Sequence, residues 1–161
     1  MIATIFACGT NNEFGFNNKL PWSTCSEDMQ FFRKATVNTV CIMGHRTFKS
    51  MPKLEDRISI VISSEELGDH NASSLEDAVL KAQAFYPNKD ISIIGGASII
   101  AEAIEKRITD VIYKTEMHSY HELEADVFID IDLSKYKRIN SVKLSIEHPE
   151  LNAITFNQYC R

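Results

Sequence analysis

Among the side chains of this sequence, the carboxyl group of Asp28 is the best placed for acid–base chemistry. It follows the chain's single tryptophan, Trp22, and lies in the first turn of a helix for which Ser26 is the predicted N-cap. Apolar residues follow it at i+3, i+4 and i+7, which places the carboxylate on the apolar face of the helix; they are Phe31, Phe32 and Ala35. One interpretation is a solvated acid that opposes the helix dipole. The other is a half-buried acid whose pKa is raised by desolvation, so that it can deliver a proton.

Glycine, hydroxyl and basic residues stand at the ends of three predicted strands and could bind phosphate. Ligands of open α/β sheets bind at the carboxyl ends of the strands, and a helix that begins there points free amides at an anion. Together these residues suit a dinucleotide with an additional phosphate. Singly they are also typical of ordinary turns, and the chain contains neither GxGxxG after a strand nor GxxxxGK[ST]. The residues are Gly44, His45, Arg46 and Thr47 after one strand, Ser63 and Ser64 after the next, and Gly95, Gly96, Ala97 and Ser98 after a third.

Other kinds of site have weaker support. Arg57, just before a predicted strand, is either a surface charge or a clamp for an anionic ligand, because a guanidinium can grip a carboxylate at two points. The histidines and glutamates between positions 118 and 124 do not have the spacing of HExxH. They favour a solvated loop, and we expect no metal site. The sequence contains no GxSxG turn for a nucleophilic serine.

The elements that must position these residues are short β-branched strands that alternate with helical patterns. This alternation predicts the α/β class, with a largely parallel sheet covered by helices. The final two strands have no helix between them and should pair antiparallel at one edge. A possible capping box joins Ser73 to Glu76 at the start of one helix, which Pro87 ends. The predicted strands are 2–8, 40–43, 58–62, 91–94, 110–115, 137–147 and 153–160. The predicted helices are one that begins at Ser26, a short one around 46–50, one that begins at Ser73 and Ser74, and one that carries Ile99, Ile100, Ala103 and Ile104.

Composition limits the function classes. The chain has 161 residues, 44% of them hydrophobic, which suits one domain over residues 1–161 with a substantial core. A net charge of -5 argues against nucleic-acid binding, which needs a basic surplus. The four cysteines are far apart without a CxxC pair, and they indicate reduced thiols in the cytoplasm. The N-terminal residues lack the features of a secretory signal, and we expect no membrane-spanning segment.

The order and spacing of several motifs resemble the dihydrofolate reductase family from Met1 to the last strand pair. The motifs are Leu20-Pro21-Trp22, Glu27-Asp28-Met29 with Phe32, Ile42-Met43-Gly44 with Thr47-Phe48 and Ser50, Arg57, Ser63-Ser64, Ile94-Gly95-Gly96, Tyr113-Lys114-Thr115 and Asp126-Val127-Phe128. The resemblance implies a single-domain, mostly parallel eight-stranded sheet with four helices and an antiparallel C-terminal edge. It also implies NADPH-dependent reduction of 7,8-dihydrofolate to tetrahydrofolate, for tetrahydrofolate biosynthesis and one-carbon metabolism. We expect a cytoplasmic monomer that binds this small substrate and neither nucleic acid nor membrane.

The resemblance also implies roles for individual residues. Asp28 would bind the pterin ring and promote protonation at N5, Thr115 would hydrogen-bond to that carboxylate, and Trp22 would close the pocket through an ordered water. Residues 15–20 would form a mobile lid, and Gly95-Gly96 resembles the family's cis peptide. The implied substrate-binding residues are Ile5, Ala7, Asp28, Met29, Phe32, Met51, Leu54, Arg57, Ile94 and Thr115. The implied NADPH-binding residues are Ala7, Gly15, Asn18, Leu20, Gly44, His45, Arg46, Thr47, Ser63, Ser64, Gly95, Gly96, Ala97, Ser98, Ile99 and Ile100.

The chain departs from the family pattern at three places. One residue more than usual separates Trp22 from Asp28, with Cys25-Ser26 where a proline usually precedes the acid. His45 stands where arginine usually follows Gly44, and Ile100 replaces a frequent aromatic residue. Two other hypotheses remain, a riboflavin-pathway-type NADPH reductase and a non-catalytic nucleotide-binding domain. An acid beside a planar pterin would serve no purpose in the first, and the joint presence of Asp28, Trp22, Thr115 and Arg57 argues against the second.

Overall fold

The computed structural model describes residues 1–52 and 55–161, which have the α/β architecture that the strand and helix patterns predict. Lys53 and Leu54 lie outside the described residues, and so does the prediction for Leu54. The strands are β1 (Ile2–Gly9), β2 (Glu13–Gly15), β3 (Val40–Gly44), β4 (Ile58–Ile62), β5 (His70–Ala72), β6 (Ile91–Gly95), β7 (Val111–Ser119), β8 (Val127–Phe128), β9 (Lys137–Ser145) and β10 (Leu151–Cys160). The helices are α1 (Ser26–Thr36), α2 (His45–Ser50), α3 (Leu75–Phe85) and α4 (Ala97–Glu105).

Eight strands form one sheet in the order β5-β4-β3-β6-β1-β7-β10-β9. The first six are parallel to their neighbours, whereas β10 pairs antiparallel with both β7 and β9. The predicted mostly parallel sheet with an antiparallel C-terminal edge is therefore confirmed. Strands β2 and β8 form a separate antiparallel pair.

Alternate residues of the central strands pack against helices on opposite faces of the sheet. In β3, Val40 and Ile42 belong to a buried cluster that includes Leu75 of α3. Cys41 and Met43 belong to another cluster, which Phe32 of α1 covers. Because both faces are covered, these strands are apolar at nearly every position, as parallel strands usually are.

The start of α1 differs from the prediction. Cys25, and not Ser26, is the N-cap residue, and it makes no side-chain capping hydrogen bond. Ser26 is already helical, and its hydroxyl donates to Glu27 Oε1. The first turn instead carries the acidic side chains of Glu27 and Asp28, which favour a helix N-terminus electrostatically.

The predicted capping box of α3 is shifted by one residue. Ser74 is the N-cap, and its Oγ accepts a hydrogen bond from the amide of Asp77 at 3.0 Å. Asp77 Oδ2 in turn accepts from the amide of Ser73 at 2.9 Å. Asp77, and not Glu76, therefore bonds with the residues at the start of the helix, and its carboxylate accepts from the residue before the N-cap. The predicted Ser73–Glu76 pair does not form because the helix begins one residue later than that pairing requires.

The cysteines and the lengths of the helices were also subjects of prediction. All four cysteines are free thiols, and Cys8, Cys25 and Cys41 are buried. Across residues 1–52 and 55–161, no helix is both long enough and apolar enough to cross a membrane.

Candidate active site

Asp28 lies in the first turn of α1, partly buried against Thr115 of β7. Burial raises the pKa of the Asp28 carboxyl from 3.8 to about 6, because the charged form loses its hydration. A hydrogen bond with the Thr115 side chain opposes this rise. Thr115 is itself only 2% exposed. Of the two interpretations of Asp28, the structure agrees with the half-buried acid and not with the solvated one.

The sheet topology brings the Asp28 carboxyl and the Gly95-Gly96 turn to the same edge of the sheet. Thr115 pairs with Ala7 of β1, and β1 lies between β7 and β6 in the sheet. The carboxyl ends of these three parallel strands are therefore adjacent. Gly95 is the last residue of β6, so the acid and the glycine turn both lie near the edge where α/β sheets bind ligands.

Trp22 is buried between the start of α1 and strands β7 and β10. It is 4% exposed and packs in a buried cluster with Cys25, Met117, Leu151 and Ile154. This packing places a large apolar surface just before the helix that carries the acid. It accounts for part of the apolar environment in which a carboxyl is expected to hold its proton more tightly. The ordered water expected at Trp22 stays a prediction.

Several apolar side chains pack around α1 and the neighbouring strand ends. Phe31, on the α1 face that carries Asp28, stacks against Phe156 with ring centroids 4.9 Å apart and meets Tyr113 edge-on at 5.7 Å. The predicted substrate-binding residues Phe32, Met51 and Ile94 share one apolar cluster, Ile5 is buried, and Ala7 and Met29 are partly buried.

Arg57 is fixed at the C-terminal end of α1. Its Nε donates to Thr36 Oγ1 at 2.9 Å and its Nη2 donates to the carbonyl of Arg33 at 2.7 Å. Nη1 donates to the carbonyl of Glu55. A guanidinium has five N–H donors, so two terminal donors remain for a ligand. Arg57 is therefore held rigidly at the cleft margin and keeps the capacity to bind a carboxylate.

Glycines allow α4 to pack closely against the end of β3 and α2 to pack closely against the end of β6. A Cβ on Gly44 would lie 3.1 Å from Ile99 Cδ1, and a Cβ on Gly95 would lie 3.1 Å from Thr47 Oγ1. Gly95 also has φ +144°, a conformation that L side chains rarely adopt. The Gly95-Gly96 peptide is cis.

The helices that follow these glycines begin with uncapped amides. Gly96 is the N-cap of α4 and Gly44 is the N-cap of α2; neither cap makes a side-chain hydrogen bond, and neither first turn contains an acidic residue. Free amides without competing carboxylates suit phosphate oxygens. The hydrogen-bond donors of these two turns are backbone amides, and this chemistry suits the pyrophosphate of a dinucleotide.

The other residues predicted to bind NADPH lie around these turns with different exposure. His45, Arg46, Ser64 and Ser98 are exposed, whereas Thr47, Ser63, Ala97 and Ile99 are partly buried. Ile100 is fully buried in a cluster with Phe6, Cys8, Ile104 and Ile112. Its side chain packs in the core of the structure, and its contact with a cofactor stays a prediction.

The predicted lid, residues 15–20, is anchored to Asp126 by its first residues. Gly15 belongs to the β2–β8 pair, and its carbonyl accepts from the amide of Asp126 at 2.9 Å. The Asp126 side chain accepts from the amide of Asn17 at 3.0 Å. Asn17 and Asn18 have positive φ, which asparagine tolerates in tight turns, and Leu20 is 47% exposed.

Two residues after Pro21, Ser23 joins the end of the lid to the turn between β9 and β10. Its amide donates to Glu150 Oε1 at 2.8 Å. His148 Nδ1 accepts from the amides of Glu150 and Leu151, so a neutral ring carries its proton on Nε2, which lies 3.0 Å from the Ser23 carbonyl. The sequence reasoning missed these anchors because they join residues more than a hundred positions apart. Asp126 was part of a recognised motif, but the motif gave it no role.

Comparison with known proteins identifies the family of the chain. The family model for dihydrofolate reductase matches residues 1–161. The chain is 35% identical over 144 residues to the dihydrofolate reductase type A10 of Escherichia coli, covering 85% of this chain and 73% of that protein. It is 31% identical over 162 residues to the dihydrofolate reductase of Lactococcus lactis, covering 97% and 94%.

A solved dihydrofolate reductase structure has the same fold as this chain. The dihydrofolate reductase from Enterococcus faecalis, complexed with NADP(H) and RAB-propyl, superposes with a TM-score of 0.85 at 26% sequence identity. The match covers 100% of this chain and 96% of that one. It therefore includes the strand ends and helix N-termini described above.

Proposed function

The chain belongs to the dihydrofolate reductase family, and from that premise we propose that Asp28 promotes the protonation of the substrate while the glycine turns hold the cofactor. The overall reaction is the NADPH-dependent reduction of 7,8-dihydrofolate to 5,6,7,8-tetrahydrofolate. When bound, NADPH supplies the hydride that reaches C6 of the pterin. The protein must therefore align the two ligands, exclude water and manage one proton at N5.

The proposal for Asp28 rests on one observation, a partly buried carboxyl with a pKa of about 6 that meets Thr115 in an apolar cleft. With this pKa, a usable fraction of the acid is protonated near neutral pH, whereas an ordinary aspartic acid would be almost fully ionised. Asp28 would bind the pterin ring and favour the proton at N5. Thr115 would orient the carboxyl, and Trp22 would exclude bulk water from it.

The cofactor would lie across the strand ends that glycine leaves open. The amides at the start of α2 and α4, after Gly44 and Gly96, would bind the pyrophosphate. Ser63 and Ser64 would bind the extra phosphate of NADPH through their hydroxyls. The remaining predicted positions are Ala7, Gly15, Asn18, Leu20, His45, Arg46, Thr47, Gly95, Ala97, Ser98, Ile99 and Ile100.

Substrate specificity would come from the opposite side of the cleft. The two free terminal donors of Arg57 would bind the carboxylate of the glutamate tail. The ring would lie among the apolar side chains of Ile5, Ala7, Met29, Phe32, Met51 and Ile94. Residues 15–20 would act as a lid over the active site, and the side chain of Asp126 would hold the segment at Asn17.

We further propose that residues 1–161 form one domain and that the protein works as a cytoplasmic monomer without nucleic-acid or membrane partners. The net charge of -5 supports the absence of nucleic-acid binding.

The direct test follows NADPH absorbance after dihydrofolate is added, with NADH and a pyrimidine ribose substrate of the riboflavin-pathway type in parallel. We expect rapid oxidation with dihydrofolate and NADPH, and none with the ribose substrate. Turnover of the ribose substrate, or a lack of turnover with dihydrofolate in a folded protein, would contradict the assignment.

A further inference from the structure

A cavity of about 470 Å³ opens beside the ends of β4 and β5 and the first two turns of α3. Both serines proposed to meet the extra phosphate of NADPH line this cavity. Its polar lining consists of Ser63, Ser64, Asn71, Ser73, Asp77 and Lys81. The cavity therefore continues from the proposed cofactor site toward the edge of the sheet, and it is rich in hydrogen-bonding groups.

Lys81 brings a cation to this cavity and is held in place there. Its Nζ donates to the carbonyl of Asn71 at 2.7 Å and lies 3.3 Å from Asp77 Oδ2. The Lys81 side chain is 36% exposed, so it is partly shielded from solvent. An ammonium has three donors, and these contacts occupy two of them. One donor remains for a ligand in the cavity.

Asp77 has its own partners, which fix its position. Its Oδ2 accepts from the amide of Ser73 at 2.9 Å and lies 3.3 Å from Ser73 Oγ. The Ser73 amide holds the pKa of the Asp77 carboxyl below its usual value, and the contact with Lys81 contributes to the same shift. The carboxylate thus stays ionised, orients Lys81 and neutralises part of its charge.

We propose that Lys81 is a specificity-determining residue that recognises the 2′-phosphate of NADPH, and that Asp77 limits the strength of this recognition. The inference rests on the proposed function, since it assumes that Ser63 and Ser64 face the phosphate end of the cofactor. A phosphate at their hydroxyls would meet the free donor of Lys81 and would also be repelled by Asp77. His45 and Arg46 are exposed on α2 and do not line this cavity. Among the described residues that line it, Lys81 is the cationic one.

Lys81 could also be a purely structural tie between α3 and β5. That role predicts a different result, because loss of a tie would weaken the binding of every cofactor by the same factor or would lower stability alone. Recognition of the 2′-phosphate predicts a selective loss. Ligand pairs that differ only by this phosphate therefore separate the two roles.

The experiment measures the dissociation constants of NADP⁺, NAD⁺, 2′,5′-ADP and 5′-AMP by calorimetry, using the full chain and Lys81→Met. We expect NADP⁺ and 2′,5′-ADP to bind about 10-fold more weakly, as for the loss of one charge-assisted hydrogen bond. NAD⁺ and 5′-AMP should be unchanged. Lys81→Arg should restore most of the affinity, because it keeps the charge.

Lys106→Met is the matched control. Lys106 also pairs with a carboxylate in the first turn of α3, Glu76 at 2.6 Å, but it does not line the cavity. It should leave all four dissociation constants unchanged. Asp77→Asn should strengthen the binding of NADP⁺ and 2′,5′-ADP about 3-fold, by removing a repulsive charge. Equal losses for all four ligands in Lys81→Met, or no loss for any, would overturn the proposal.

The binding experiment on Lys81 and the activity test of the proposed function can fail separately. If the unmodified chain oxidises NADPH with dihydrofolate but Lys81→Met binds all ligands normally, only the role of Lys81 fails. If dihydrofolate is not reduced, the proposed function fails, whatever the binding data show for Lys81.

Discussion

Replacing Asp28 with asparagine should stabilise the fold above neutral pH while removing most of the activity. The pKa of Asp28 is raised from 3.8 to about 6 in the folded protein. A raised pKa means that the folded state prefers the protonated acid. The stability that Asp28 contributes is fully present below the unfolded pKa of 3.8 and is lost as the pH rises through about 6. The shift corresponds to about 3 kcal/mol at neutral pH and above.

Asparagine has nearly the same shape and does not ionise, so Asp28→Asn should avoid this loss. Its free energy of unfolding, relative to the unmodified protein, should increase by about 2.5 kcal/mol between pH 4 and pH 8, because a small part of the effect is already present at pH 4. Activity should change in the opposite direction. We expect a loss of about 3 to 5 kcal/mol of transition-state stabilisation, the range for general acid catalysis.

The assay is urea unfolding of both proteins across this pH range, combined with single-turnover kinetics at each pH. Asp132→Asn is a control of opposite sign, because the Ser134 amide holds the pKa of Asp132 below its usual value. The free energy of unfolding of Asp132→Asn, relative to that of the unmodified protein, should fall slightly as the pH rises. If the free energies of unfolding of Asp28→Asn and of the unmodified protein changed in parallel with pH, the buried acid would be refuted. Unchanged activity of Asp28→Asn at neutral pH would remove Asp28 from the mechanism.

Two further substitutions test the surroundings of the acid and the cofactor turn. Thr115→Val removes the side-chain hydrogen bond that lowers the pKa of Asp28, so the inflection in the pH–rate profile should move above pH 6; an unmoved inflection would contradict the contact. Gly95→Ala places a Cβ 3.1 Å from Thr47 Oγ1, on a residue whose φ is +144°. This substitution should reduce the free energy of unfolding by about 1–3 kcal/mol and should weaken NADP⁺ binding. Gly96→Ala, whose Cβ would lie 3.7 Å from the same atom, should cost less stability, and equal losses in chemical denaturation would count against this explanation.

The sequence predicted the central strands well because they are buried on both faces and rich in β-branched residues. Positions 58–62, for example, form β4 with the predicted bounds. The short strands β2, β5 and β8 were missed, because they contain only two or three residues and exist through pairing with distant segments. Strand β7 extends beyond the predicted end at position 115, since β10 pairs with it as far as Ser119.

The candidate site was predictable in part. Helical spacing identified Asp28 as an acid on an apolar face, but spacing alone could not decide whether the face was buried. That decision depends on Thr115, which is far away in sequence and reaches Asp28 only through the sheet. Lys81 gave no signal in the sequence, because a lysine at i+4 from Asp77 is typical of an exposed helix face.

The most direct test of the account is a titration of the Asp28 carboxyl carbon by nuclear magnetic resonance in the unliganded protein. The account predicts a midpoint near pH 6, as burial in the cleft requires. A midpoint near the ordinary value of 3.8 would mean that the carboxyl is solvated, and it would contradict the role assigned to Asp28.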